Sequence, residues 1–332
     1  MPAANSAVIA RQCDALHTMA RRHVGPGSAY ALLDYPNHSN VGDCAIWLGE
    51  IALLQGITGN APAYVCEHHD FDAEALRRAF PEGPVFLHGG GNLGDIWPKH
   101  QRFREMILER LPDREIVQLP QSIAFREERG IAGFANLLSA HRDAHLYVRD
   151  RRSLDFAEAR LGVAATLVPD CAFAMGALAR RGVPAVDILM LMRTDSERAG
   201  HDQHAAPATG KIEVVDWLEE PRQAGDRWMR RARRLADRLG TSDAMTRRRR
   251  QYDRKAAERL ERGLALLSRG RQVVTDRLHG HILSTLLDIP HVALDNSYGK
   301  VSGYIAAWTR EFPHLRTAAT PDEALARLAE LP

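Results

Sequence analysis

The chain has little cysteine. Four residues, Cys13, Cys44, Cys66 and Cys171, are scattered through 332 positions without a C-x-x-C pair. Neither a zinc knuckle nor a disulfide framework is indicated. No run of ~18 apolar residues occurs, the length a membrane-spanning helix needs. Met1 to His23 hold no apolar core of signal-peptide type. An excess of one charge is also missing: 44 Lys+Arg stand against 42 Asp+Glu, a formal net charge of +2. Such a balance gives no general reason to expect nucleic acid as a partner. Internal repeats and low-complexity tracts are absent, and the His and Asp residues lack a metal-ligand spacing. These absences predict a soluble chain in a reducing, cytoplasmic setting, with no metal and no cofactor.

What is present builds a core. Hydrophobic residues make up 45% and charged residues 26% of the chain, near the globular average. At ~150 residues per domain the length suggests about two domains. Short apolar runs alternate with helical stretches. Ser28–Asp34, Pro84–His88, Glu115–Leu119, His145–Val148 and Thr166–Val168 read as strands. Cys44–Gln55 behind an Asp43 cap, Arg102–Arg110, Ile131–Ala140 and Ser153–Leu161 read as helices. This alternation predicts an α/β fold on a buried, mostly parallel sheet. A second series, Asp187–Met192, Gln272–Thr275 and His291–Leu294, predicts a second α/β domain. The boundary near Ala177–Pro184 gives domains 1–178 and 179–332.

Six polar segments follow the strands. Asn37 to Asp43 surrounds Asn40 and Gly42 in a loop suited to close approach by a ligand, or simply a capped turn. His88 to Asp95 contains Gly89, Gly90, Gly91 and Asn92. It matches neither G-x-G-x-x-G nor a Walker loop. Three glycines after a parallel strand favour a ligand loop, with no side chains between backbone and ligand. Gln121 and Ser122 can hydrogen-bond a polar ligand. Arg149 ends a strand and can grip a carboxylate or phosphate, with Asp170 near enough in the pattern to orient it. Arg277 and His279, two apart, pair a cation with an imidazole for an anionic substrate that needs proton transfer. Lys300, near the end of Asp295–Lys300, offers a further positive charge.

The segment 226–262 is strongly basic, with thirteen Arg and Lys255 against six acids. One or two helices are expected, with Leu235, Leu239, Leu260 and Leu264 facing inward and Gly240 as a break. The favoured reading is a solvated helical face. The sharper one is a patch for anionic lipid headgroups or a diphosphate-bearing acceptor, which would place the chain peripherally at the inner face of the membrane.

Taken in order, these segments resemble the polysaccharide pyruvyl transferase family. The matching pieces are Asn40-Val41-Gly42-Asp43, the His88–Asn92 loop, Gln121-Ser122-Ile123, Arg149-Asp150 with Ser153, Pro169-Asp170 with Ala172-Phe173, Asp276-Arg277-Leu278-His279-Gly280, and Ile289-Pro290 through Lys300. The resemblance covers roughly Tyr30 to Tyr304. One departure is Ala124-Phe125, where the family often has Gly-Pro. The resemblance implies a GT-B-like fold, two Rossmann-like domains facing across a cleft, the first on the acceptor side and the second on the donor side. It implies phosphoenolpyruvate as donor substrate and a saccharide of a bacterial exopolysaccharide, free or lipid-linked, as acceptor. Arg149, Arg277 and His279 carry over as donor contacts. On that reading His279 is the acid, Arg149 and Arg277 clamp the donor with Lys300 as a third cation, and His88 or Asp43 is the base toward the acceptor. Two alternatives stand beside it: a glycosyltransferase of the same architecture using a nucleotide sugar, and a non-catalytic scaffold of polysaccharide assembly.

Overall fold

A computed structural model describes residues 4–194, 211–218, 244–295 and 299–331 of the chain. Two parallel sheets organise them. The first contains β1 (Ala31–Leu33), β2 (Tyr64–Cys66), β3 (Val85–Leu87), β4 (Gly90–Leu93), β5 (Ile116–Ile123), β6 (Ala144–Val148) and β7 (Ala165–Leu167). Its order is β2-β1-β3-β5-β6-β7, with β4 continuing alongside β5. The second contains β8 (Val186–Leu191), β9 (Ile212–Val215), β10 (Gly270–Thr275), β11 (His291–Leu294) and β12 (Leu315–Ala318), in the order β12-β11-β10-β8-β9. Parallel pairing requires crossover connections, and helices supply most of them. The α/β reading holds; β2, β4, β9 and β12 were not legible as strands.

Side chains alternate across each strand, so neighbours serve opposite layers. Leu32 joins the central core while Ala31 and Leu33 join the far face of the first sheet. Leu189 and Leu191 face the central core while Ile188 and Met190 face outward in the second. The central core is continuous from Val8 in α1 (Ala4–Ala20), through α2 (Val41–Thr58), to Phe312. It therefore joins the two sheets.

Helix α2 is the axis of that core. Its cap is Asn40, whose side chain accepts from the Gly42 N–H at 3.1 Å. The expected Asp43 cap is instead a first-turn acid, which suits the positive end of the helix dipole. By length and composition α2 could cross a bilayer, yet 67% of it is buried inside this fold. Against it lies α7 (Ala244–Ser268), drawn from the basic segment. Tyr252 of α7 stacks on Tyr35 with ring centroids 4.0 Å apart, and Asp253 accepts from Trp47 Nε1 at 3.2 Å. Leu260 and Leu264 are buried, as their spacing predicts; Leu235, Leu239 and Gly240 lie outside the described residues. The other helices are α3 (Ala73–Ala79), α4 (Pro98–Arg110), α5 (Glu128–Ala140), α6 (Arg151–Phe156), α8 (Leu278–Leu286), α9 (Lys300–Tyr304) and α10 (Pro321–Leu328). Asp150 caps α6: its carboxylate accepts from the Ser153 N–H.

Candidate active site

A parallel sheet binds ligands beyond the carboxyl ends of its strands, where successive connections leave in opposite directions. In the first sheet that switch lies between β1 and β3; in the second it lies between β8 and β10. One cavity of about 420 Å³ collects the loops from both switches. The first sheet contributes His38 to Asp43 after β1, Gly91 and Asn92 on β4, Trp97 and His100 at the start of α4, and Arg149 after β6. The second contributes Arg193 after β8, Trp217 and Leu218 after β9, Arg277 to His279 after β10, and Lys300 after β11. Three guanidiniums and one ammonium thus face a lining whose carboxylate is Asp43.

The second sheet fixes Arg277 firmly. Its Nε and Nη2 donate to Asp216 Oδ1 and Oδ2 at 2.8 and 2.7 Å. Asp216 is held in turn by the Thr194 N–H and hydroxyl and by the Trp217 N–H. The guanidinium also lies over the Trp217 ring, 5.9 Å from its centroid. Only 3% of Arg277 is exposed, so its charge enters the cavity with little solvent to screen it.

Arg149 is held by its own sheet. Its Nε donates to Ser122 Oγ at 2.9 Å and its Nη1 to Asp170 Oδ2 at 2.6 Å. Its Nη2 approaches Gly91, where a Cβ would come within 2.9 Å of it and 3.6 Å of Lys300 Nζ. Glycine at 91 therefore lets the two cations lie side by side at the cavity wall. Asp170 also faces His279, with Oδ2 3.4 Å from Nε2. Burial would raise the Asp170 pKa, but His279, Arg149 and the Ala172 N–H outweigh it and hold the carboxyl well below its usual range. The other side of the imidazole rests on the backbone of α2. A Cβ at position 42 would sit 2.6 Å from His279 Cγ, so only glycine admits the ring. The motif around Gly42 thus serves the imidazole of the opposite sheet.

Asp43 reaches the wall beside it. Its Oδ2 accepts from Asn40 Nδ2 at 2.8 Å and lies 3.4 Å from His38 Nε2. Burial works against its ionisation, yet His38, His279, His88 and Arg149 together lower its pKa. The lowering keeps Asp43 ionised beside an exposed imidazole, where it can accept a hydroxyl proton, though as a weaker base than an unperturbed carboxylate.

Other expected residues lie behind the wall. His88 is 1% exposed and its Nδ1 pairs with Glu50 Oε2 at 2.8 Å, so the structure does not bring it to the cavity. Burial would lower the His88 pKa, but the Glu50 carboxylate raises it. Gly89 and Gly90 pack on Pro120, Glu50 and Ile46, and Gly90 takes a φ of 117°. Only Gly91 of the three meets the cavity. Gln121 is fully buried; its amide donates to the His88 carbonyl and to Asn92 Oδ1, both at 3.0 Å. Ser122 donates to Asp150 Oδ2 while accepting from Arg149. Both are braces for the wall rather than part of it. The loop with Ala124-Phe125 packs Phe125 on Phe156, with centroids 5.9 Å apart. Asn296 to Tyr298 lie outside the described residues.

Arg193, Asp216 and Trp217 were missed by the sequence reading. Arg193 had a signal: it follows an apolar strand just as Arg149 and Arg277 do. Asp216 and Trp217 follow β9, whose four residues are too short and too exposed to read as a strand. The basic segment is largely self-satisfied where described. Arg248 lies 3.5 Å from Asp70, Arg249 donates to the Pro62 carbonyl, and Arg262 Nη2 donates to the carbonyls of Ser39 and Trp217. Residues 226–243 lie outside the described residues. Two trios of possible metal ligands converge, His23–Glu115–His145 and Asp34–His68–His100, which the sequence spacing did not reveal. Each is already paired internally: Glu115 with His23 at 2.6 Å, and Asp34 with His100 at 2.9 Å and Arg104 at 3.8 Å.

The wall can bind a compact dianion, place an imidazole against it, and offer a carboxylate to a hydroxyl. The chain is similar to known proteins over most of its length. The family model described as Polysaccharide pyruvyl transferase matches residues 40–298. Pyruvyl transferase 1 of Schizosaccharomyces pombe is 31% identical over 322 residues, covering 90% of this chain and 74% of that protein. EpsO of Bacillus subtilis, whose name assigns pyruvyl transfer provisionally, is 31% identical over 294 residues, covering 85% and 86%. In fold, the chain is similar to the crystal structure of an uncharacterized protein from Klebsiella pneumoniae. The TM-score is 0.56 and the identity 15%, over 92% of this chain and 97% of that one.

Proposed function

The chain belongs to the polysaccharide pyruvyl transferase family, and from that premise we propose that it transfers the pyruvyl group of phosphoenolpyruvate to two hydroxyls of one sugar, forming a ketal. The observation that carries this reading is the set of cations from two sheets, Arg149, Arg193, Arg277 and Lys300, around one cavity with His279 in its wall. Phosphoenolpyruvate carries a carboxylate and a phosphate, and two separated cationic groups suit it. It has no base or ribose to recognise. We read the two sheets as two Rossmann-like domains, 1–178 and 179–332, facing across this cavity in a GT-B-like manner. The acceptor, a saccharide free or lipid-linked, enters from the first; the donor rests against the second. The reaction is cytoplasmic on this reading.

The chemistry runs as follows. His279 gives a proton to the methylene carbon of the donor, and positive charge develops on the adjacent carbon bearing the phosphate oxygen. A sugar hydroxyl bonds to that carbon and loses its proton to Asp43. The carbon–oxygen bond to phosphate then breaks, and inorganic phosphate departs against the arginines. The neighbouring hydroxyl closes the ketal on the same carbon. Asp43 passes its proton on to restore His279, and the proton of the second hydroxyl leaves with phosphate. Arg149 and Arg277 neutralise the charge that accumulates on the leaving group.

The test is a thermal shift with phosphoenolpyruvate and, separately, with a panel of nucleotide sugars. A ligand at 100 times its Kd adds about 2.7 kcal/mol. Stabilisation by phosphoenolpyruvate alone, lost in Arg277→Ala, is expected. Stabilisation by a nucleotide sugar and none by phosphoenolpyruvate would replace this reading with glycosyl transfer. A response to neither would favour the scaffold.

A further inference from the structure

A second cavity, of about 390 Å³, shares the walls His38, Trp97 and His100 with the first. Its size falls in the range of small-molecule sites, about 300–1,000 Å³. Its chemistry is different. The first cavity is lined by three arginines and a lysine. The second is lined by one carboxylate, Glu67, and one ammonium, Lys99, with no arginine among the described residues. The one carboxylate and one ammonium offset each other, so this lining lacks the excess of cations that marks the first.

Two features point to a polyhydroxylated ligand. Trp97, at the seam of the two cavities, is 44% exposed and is one of three large apolar side chains so exposed among the described residues. An indole face is flat, apolar and polarised, and suits the C–H face of a pyranose. Glu67 is nearly buried and accepts from Asn37 Nδ2 at 3.2 and 3.3 Å, presenting a carboxylate and an amide together. Tyr35 also lines the cavity, at 1% exposure.

We propose that the second cavity is a subsite for a neutral sugar unit adjoining the one that receives the pyruvyl group, with Trp97 as its stacking face and Glu67 and Asn37 as hydroxyl partners. This rests on the pyruvyl-transfer reading for the role of the neighbouring cavity. The seam then fixes the acceptor's register: the stacked unit sits over Trp97, and the next unit reaches Asp43 and His279. Acceptors of two or more units are bound better than their components, because the second unit adds contacts the first cannot make.

The full-length protein is screened, without phosphoenolpyruvate, on an array of neutral and acidic oligosaccharides of one to four units. Binding to neutral glycans is expected, tighter for a disaccharide than for its component monosaccharides. Trp97→Ala should weaken the best-bound glycan about tenfold, equivalent to ~1.4 kcal/mol. Glu67→Gln should weaken it as well, since it removes the carboxylate that accepts from the glycan hydroxyls. Phosphoenolpyruvate should not displace the glycan. Retention of no neutral glycan, preference for acidic ones, equal affinity for monosaccharides, displacement by phosphoenolpyruvate, or unaltered affinity in both variants would each overturn the subsite. Failure to bind phosphoenolpyruvate with glycan binding intact would break the pyruvyl reading and leave the saccharide subsite standing.

Discussion

Arg149 and Arg277 occupy equivalent places. Each follows a parallel strand with neighbours on both sides, each is 3% exposed, and each meets a carboxylate, Asp170 buried and Asp216 part-buried. Their support differs. Arg277 is set within its own sheet: Asp216 follows β9, and its other partners, Thr194 and Trp217, are close in the same half. Arg149 is held by Ser122 and Asp170 of its own half, and this support touches the other half. Its partner Asp170 faces His279, the Asp170 N–H donates to Tyr304 Oη at 3.1 Å, and Trp308 Nε1 donates to the Arg149 carbonyl at 2.9 Å. Both cations are therefore held within their own half, but the partners of Arg149 are braced from the opposite one. The donor site, if built from both, is complete only in the assembled fold.

The largest expected effect removes the group between them. His279→Ala should lower kcat by about 10²–10⁴-fold, the usual range for a positioned acid, while phosphoenolpyruvate affinity is kept; steady-state kinetics with a titrated donor check this. Near-normal turnover would remove His279 from the chemistry. Next, Asp170→Asn should cost about 3–5 kcal/mol in urea unfolding, as breaking a buried charge pair does, and should lower both donor affinity and turnover. Asp216→Asn should weaken donor affinity with turnover at saturation less affected. Equal kinetic profiles for the two would erase the distinction between local and cross-seam support.

A smaller effect sharpens it. Tyr304 Oη accepts from Asp170 N–H and donates to Gln12 Oε1 at 2.9 Å. Tyr304→Phe should cost about 1–3 kcal/mol for the buried groups left unpaired, and should disturb the Arg149 side of the cavity more than the Arg277 side. Amide exchange near Asp170 that matches wild type would contradict that link.

The halves should also respond oppositely to pH. In the second, burial holds His281 well below its ordinary pKa and His291 down at about 4, with Thr309 and the Ile289 carbonyl as their partners. Depressed histidines stabilise the fold above their unfolded pKa near 6.5, and that contribution is lost as pH falls toward ~4. In the first, Glu50 raises His88 despite its burial. Its contribution is full below ~6.5 and is lost as pH rises through the raised value. Hydrogen exchange resolved by segment at pH 5 and pH 8 should show α8 loosening in acid and the His88 loop loosening in base. Parallel changes in both would show the pairs to be energetically minor.

Much of this was legible from strand ends. Arg149, Arg277, His279, Asn40 and Asp43 were read as loop residues after apolar runs, and the sheets place them at the cavity. His88, Gln121 and Ser122 have the same local signature and turn away from it. After a strand, one polar residue faces the ligand and its neighbour faces inward, and only the packing of α2 and β5 decides which. The triple glycine illustrates the same limit: Gly89 and Gly90 answer to Ile46, Glu50 and Pro120, while Gly91 answers to the cavity. Trp97 and Tyr35 carried no periodic signal, because their importance lies in a cavity formed by segments ~60 residues apart.

The most direct measurement is a crystal structure of the protein soaked with phosphoenolpyruvate. Density for the donor is expected in the seam cavity, with its carboxylate and phosphate divided between Arg149 of the first sheet and Arg277 of the second, and its methylene toward His279. Donor density held by one sheet alone, or lying away from His279, would contradict a site assembled from both.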